Sequence, residues 1–205
     1  SVGATMGLAA MLVIKPDPSD AGSALLVVLA ALAAGLIAGL INGFLVGNLQ
    51  TNSVVTTIGT QFAIRGATFI YTESQHAWAP NMFPPLRALG VGSLGRIPIP
   101  IFVFVLIAIL GYLVFYRTNF GRYLYATGGN SASARLSGIG VQRVRLTSYI
   151  LSGLCAAIAG IVMAARVQDA DPTTVGVGKE FEALTAVILG GTSLFGGRGS
   201  VSGTV

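Results

Sequence analysis

Apolar and polar positions in this chain are segregated along its length. Long apolar runs are separated by breaks rich in Gly, Pro, Asn and Asp, the punctuation expected of helices joined by loops. Six apolar segments result: Val2–Ile14, 25–47, 52–72, 97–116, 146–165 and 183–205. Several approach or exceed the roughly 18 apolar residues of a bilayer-spanning helix. The breaks are KPDPSD, GNLQT, the proline-bearing stretch 73–96, the stretch 117–145 and RVQDADPTTVGVGKE. The expected fold is all-α, a polytopic transmembrane helical bundle with about six spans.

Three segments carry further patterns. In 25–47, Gly35, Gly39, Gly43 and Gly47 recur every fourth residue and share one helical face, so they predict a seam where another backbone approaches closely. Gly153, Ala157, Gly160 and Ala164 give 146–165 a similar narrow face. In 52–72, Ser53, Thr56, Thr57, Thr60 and Gln61 form a polar stripe opposite Val54, Val55, Ile58 and Phe62. Such a stripe must turn away from lipid, either to line a path for a hydroxyl-rich solute or to hydrogen-bond neighbouring helices. The spacing leaves both open. Arg65, near the other end of that helix, is expected to snorkel or pair with an acid. The last segment is expected to be broken and glycine-rich, because Gly190, Gly191, Gly196, Gly197 and Gly199 interrupt it. Irregular backbone at membrane depth persists only where protein buries it or it lines a wet cavity.

Composition supports the membrane reading. Of 205 residues 53% are hydrophobic and 9% charged, with mean hydropathy +0.78, against about 25% charged in an ordinary soluble domain. The net charge of +5 does not indicate nucleic acid, since there are only two lysines and no clustered water-exposed basic face is in prospect. One cysteine, Cys155, excludes an intrachain disulfide, and one histidine, His76, cannot supply a histidine cluster for a metal. No cofactor is expected. The P-loop pattern is missing, and the glycine pairs beginning at Gly138, Gly176 and Gly197 lack the third glycine of a dinucleotide fingerprint. The seven acids fall in predicted loops or at helix ends, so the spans offer no paired carboxylates for an enzyme, and no catalytic group is expected. Because the sequence begins and stops inside apolar runs, it reads as one transmembrane domain, 1–205, truncated at both ends.

The stretch 117–145 has five arginines and no acid, which places it on the cytoplasmic side, with the loops around His76 and Asp171 outside. Within it Asn130 suits the N-cap of a short helix over 131–137, and Gly138 suits its C-terminal stop.

The run TNFGRYLYATGGNSASARLSGI, with Phe120, Gly121, Arg122, Ala126, Gly128, Asn130, Ala134, Gly138 and Ile139, resembles the cytoplasmic signature of permease subunits of bacterial monosaccharide ABC importers of the ribose, xylose, arabinose and galactose type. Ser133 departs from it by standing where alanine is usual. GVGKEFEALTAVILGGTSLFGGRGSVSGT is similar to a second motif of that family through Glu180, Gly190, Gly191, Ser193, Gly196, Gly197, Gly199 and Gly203, with Glu182 and Thr185 as departures. SVGATM at the start is similar to the tail of a third.

The resemblance implies a multi-pass inner-membrane subunit that forms a sugar pathway with a second permease chain. It also implies an ABC ATPase at the cytoplasmic face and a periplasmic or lipid-anchored binding protein. Phe120, Gly121, Arg122, Gly128, Asn130, Ala134, Gly138 and Ile139 would then belong to the ATPase-coupling loop, and Glu180 with the glycines of the second motif to conformational packing. Related permeases for branched-chain amino acids, nucleosides or autoinducer-like sugars are the nearest alternative, with a membrane enzyme or passive channel further off.

Overall fold

The computed structural model describes residues 1–193 and 196–204. The helices are α1 Val2–Ile14, α2 Ala21–Gly47, α3 Ser53–Thr72, α4 Pro84–Val91, α5 Ile99–Arg117, α6 Asn119–Gly129, α7 Ser131–Leu136, α8 Val141–Val167, α9 Lys179–Leu189 and α10 Val201–Thr204. Four two-residue strands, β1 Ala77–Trp78, β2 Ser93–Leu94, β3 Ile97–Pro98 and β4 Asp169–Ala170, make two short antiparallel ladders, β1 with β4 and β2 with β3. Asp20 starts α2: its carboxylate accepts from the backbone of Gly22 and Ser23, while the Ser23 side chain closes a capping box.

α8 is the central element, held between α1 and α2. The predicted glycine seam is where α2 meets it. A Cβ on Gly35 would lie 2.5 Å from the Gly153 carbonyl, and one on Gly39 would lie 2.5 Å from the Tyr149 carbonyl. Hydrogen at these positions lets the backbones touch, which replaces the hydrophobic driving force that lipid does not supply. Further along the same face of α8, Gly160 packs against Met6 and Ala9 of α1. α1 is nearly sealed, with Ala9, Ala10, Met11, Val13 and Ile14 all in the core. By contrast α5 buries no residue.

The loops collect at two ends. β1 pairs with β4, His76 Nε2 pairs with the Asp169 carboxylate, and Asp17 accepts from the backbone and side chain of Asn81. The loops around residues 17, 76 and 171 therefore sit together where α8 ends. Gly47 lies against the Gln142 carbonyl, which puts the α2–α3 turn beside the start of α8 at the opposite end, with α6 and α7 just before it in the chain.

Among the described residues three helices, α2, α5 and α8, are long and apolar enough to cross a membrane. The other predicted segments look different. α1 has 13 residues and is buried, α3 has 20 and carries the polar stripe, and α9 stops at Leu189. Beyond it, Gly191, Gly196 and Gly197 take positive φ (81°, 88° and 75°) before α10 begins. The stretch 117–145 needs correction, because it is mostly helical rather than an open excursion. α6 occupies residues 119–129, and α8 starts at Val141 instead of 146. The cause is packing: Gly121 is buried with its Cα against the Phe115 carbonyl, so α6 folds back tightly on the end of α5. No periodicity in the sequence announces that close approach.

Candidate functional site

The polar stripe lies on the side of α3 that meets α1 and α2. Thr56, Thr57, Thr60 and Gln61 are half-buried and Ser53 is exposed. Two of these residues bond across helices. The Thr60 hydroxyl donates to Asn42 Oδ1 on α2 at 2.7 Å, and Gln61 Nε2 donates to Glu180 Oε1 on α9 at 2.8 Å. Asn42 Nδ2 donates to the Ser1 hydroxyl at 3.2 Å. Two hydroxyls stay local: Thr57 donates to the Val54 carbonyl, and Thr56 to the Thr51 hydroxyl. Thr60 and Gln61 therefore join helices in this conformation, together with an asparagine that the sequence reading passed over. Asn42 is 3% exposed. Its signal was its isolation as the one polar side chain in 25–47, since an unpaired amide in such surroundings is costly and implies a partner.

Glu180 was expected among the packing residues of the second motif. Its Oε1 meets Gln61, while Oε2 is buried with no hydrogen-bond partner among the described residues. The neighbouring Lys179 is committed elsewhere, to both oxygens of Glu182 at 2.7 Å. Gly3 makes room for the carboxylate, because a Cβ there would collide with Oε2. The SVG segment and the GVGKE segment thus interlock, with Gly176 and Val175 lying on the Gly3–Gly7 face of α1.

At the other end, the Asn130 side chain caps α7 as expected, accepting from Ala132 and Ser133 at 3.0 Å, and Gly138 follows with φ +80°. Ala134 is 4% exposed and packs inside the chain itself, whereas Leu136 is 92% exposed. Gly121 is also internal, Phe120 and Ile139 are half-buried, and Arg122, Gly128, Asn130 and Gly138 are exposed. Arg122 donates to the Asn119 side chain. Leu136 had no signal of its own, because one leucine in a six-residue helix has no periodicity to assign its face.

The two long motifs touch. A Cβ on Gly128 would lie 2.8 Å from the Gly197 nitrogen, and one on Gly196 would lie 2.6 Å from the Gly128 carbonyl. Tyr125 donates its hydroxyl to the Gly199 carbonyl at 2.6 Å. Around this junction a polar recess of about 680 Å³ is lined by Thr127, Asn130, Arg145, Ser148 and Tyr149. Among the described residues there is no group of His, Cys, Asp and Glu side chains fit to hold a metal.

The family model described as "Branched-chain amino acid transport system / permease component" matches residues 1–205. The chain belongs to this permease family. The chain is also similar to permeases named for sugars. The ribose import permease protein RbsC of Escherichia coli (strain K12) is 36% identical over 185 residues, 89% of this chain and 57% of its own length. The L-arabinose transport system permease protein AraH of the same strain is 36% identical over 151 residues, 74% of this chain and 45% of its own. The galactofuranose transporter permease protein YtfT, also of that strain, is 39% identical over 199 residues, 97% and 57% respectively. The chain thus spans about half the length of these curated relatives. No solved structure matches it significantly.

Proposed function

We propose that this chain is the greater part of the membrane-spanning subunit of an ATP-binding-cassette importer that carries a monosaccharide inward across the bacterial inner membrane. The observation that carries this reading is the similarity, over most of the chain, to permeases named for ribose, L-arabinose and galactofuranose. The stripe chemistry agrees with it. Hydroxyls and an amide suit a neutral solute bearing many donors and acceptors, whereas a branched-chain amino acid would call for an apolar pocket and partners for two opposite charges.

In this reading α1, α2, α3, α5, α8 and the interrupted α9–α10 segment are the six membrane segments. The α6–α7 end faces the cytoplasm and takes an ABC ATPase, and a second permease chain completes the pathway. A periplasmic or lipid-anchored binding protein delivers sugar, and the chain itself performs no catalysis. Leu136 and Arg135 are the side chains offered to the ATPase. Phe120, Gly121, Arg122, Gly128, Asn130, Ala134, Gly138 and Ile139 shape the platform that holds them. Gly190, Gly191, Gly196, Gly197 and Gly199 supply the broken backbone that moves with it.

The test is uptake in proteoliposomes containing the full-length permease, its ATPase and its binding protein. The panel comprises labelled D-ribose, D-xylose, L-arabinose, D-galactose and L-leucine. ATP-dependent, saturable entry of one or more sugars is expected. Entry of leucine alone would overturn the substrate class, and entry without the ATPase would overturn the importer.

A further inference from the structure

We propose that Glu180 is a solute-contacting residue of the translocation path, its free carboxylate oxygen serving as the acceptor for a sugar hydroxyl beside Gln61. The inference rests on the reading of the chain as a monosaccharide permease.

The first argument is depth. α3 has 20 residues, so at 1.5 Å per residue it is about 30 Å long, the thickness of a bilayer's hydrocarbon core. Gln61 is its ninth residue, roughly 12 Å from the start on that rise. The Glu180 carboxylate that it contacts at 2.8 Å therefore sits well inside the span, although Glu180 itself belongs to the first turn of α9. Ionisable groups at such depth are costly, and those without a side-chain counter-ion mark solute or ion routes.

The second argument is that ordinary structural roles leave half of this group unused. Glu180 forms no side-chain ion pair among the described residues: its nearest cation in sequence is held by Glu182, and the Ser1 amino group, which is near enough to act on it, donates to Gln61 Oε1 at 3.2 Å. A carboxylate has two oxygens and about four acceptor sites. Here a single bond from Gln61 uses one oxygen, and Oε2 has none. Leaving it so is expensive unless a partner arrives in some state of the protein. Gly3, which has no side chain to occupy the space, keeps the oxygen in place.

The third argument is company. Thr60 bonds to Asn42 on α2 and Gln61 to Glu180 on α9, through groups a sugar hydroxyl can replace one for one, since a hydroxyl both donates and accepts. A neutral polyol suits the node, while a second anion would meet the carboxylate's charge.

The test replaces Glu180→Gln, which keeps the shape and an acceptor for Gln61 but removes the charge and turns one oxygen into a donor. The full-length transporter is reconstituted with its ATPase and binding protein, and turnover is measured for D-ribose and its C3 epimer D-xylose. ATPase co-purification and thermal stability are recorded alongside. Wild-type stability and assembly are expected, with turnover of the preferred sugar down at least fivefold and the ribose-to-xylose ratio shifted at least threefold. Unchanged transport would overturn the assignment. So would an equal fall for both sugars, or a fall that tracks lost stability, because a mere packing strut cannot distinguish epimers. A wild-type transporter that moves no sugar would instead refute the function on which the inference rests.

Discussion

Gly39→Ala puts the smallest possible side chain into the α2–α8 seam, and the structure sets its cost. The new Cβ would lie 2.5 Å from the Tyr149 carbonyl oxygen and 2.7 Å from the Ile150 Cα. Neither neighbour is a flexible side-chain tip. Non-bonded carbon contacts settle near 3.5–4.0 Å, so the helices must part by about 1 Å, a gap that forfeits a quarter to a half of each contact's well depth. Gly35 and Gly43 share the interface, with clearances of 2.5 Å and 2.8 Å, and would lose contact together with Gly39. The expected loss is therefore in the overpacking range, about 1–3 kcal/mol. Gly59→Ala on α3 is the control, because nothing lies within 4 Å of its Cβ position and alanine improves helix propensity by up to about 1 kcal/mol. Both variants would be purified in the same detergent and unfolded thermally, with loss of the monodisperse size-exclusion peak as readout. Gly39→Ala should melt clearly below wild type, and Gly59→Ala at or above it. Equal melting of the two would refute the argument that backbone contact at this seam holds the bundle.

Leu136→Asp should leave folding intact, since the side chain is 92% exposed, yet lower ATPase affinity tenfold or more, because burying a leucine is worth about 1.5–3 kcal/mol and each 1.4 kcal/mol is tenfold. Normal ATPase co-purification would remove α7 from the interface. For topology, a single cysteine at Ser131 in a Cys155→Ala background should resist an impermeant thiol reagent added to intact spheroplasts, while one at Ser74 should react. The reverse pattern would invert the orientation. Asp20→Asn should flatten the acid side of the stability profile. Hydrogen bonds from Ser23 hold the Asp20 carboxyl below its ordinary range, so its cap contributes above the unfolded-state value and is lost as pH falls through the depressed one. A profile that Asp20→Asn leaves unchanged would show that this cap does not set the acid limb.

Patterns that repeat were legible in the sequence, and features carried by single residues were not. The every-fourth glycine of α2 and the small-residue face of α8 each predicted a close approach by another backbone, because four aligned small residues have few other uses in lipid. Asn130 and Gly138 placed α7 to within a residue for the same local reason: a cap's chemistry is read from its own side chain. The fold-back of α6 depended on one glycine meeting one carbonyl, and the exposure of Leu136 on how α7 rests on its neighbours. Glu180 was the sharpest loss. Position along the chain put it at a helix end, near water, while its side chain runs toward Gln61 in the middle of α3. Depth in the membrane belongs to the carboxylate, not to the Cα, and only the packing of α9 against α1 reveals the difference.

That packing also bears on how force from one end could be felt at the other. In the proposed importer, an ATPase shifts the permease only through contacts that differ between its own two states, and a shift is transmitted only through parts that do not yield. α7 sits on α6, and Gly128 and Gly129 of α6 meet Gly196 and Gly197 backbone to backbone, with no side chain between them to change rotamer and absorb the motion. Tyr125 ties the same junction by its bond to Gly199. Those glycines follow α9 in the chain, and α9 carries Glu180 at its far end. In the proposed importer a displacement of α7 would pass through α6 to the glycines that follow α9, the helix whose first turn holds the carboxylate against Gln61. In that proposal the 2.8 Å bond from Gln61 is a contact such a movement would strain, and its loss frees an amide and a carboxylate oxygen together.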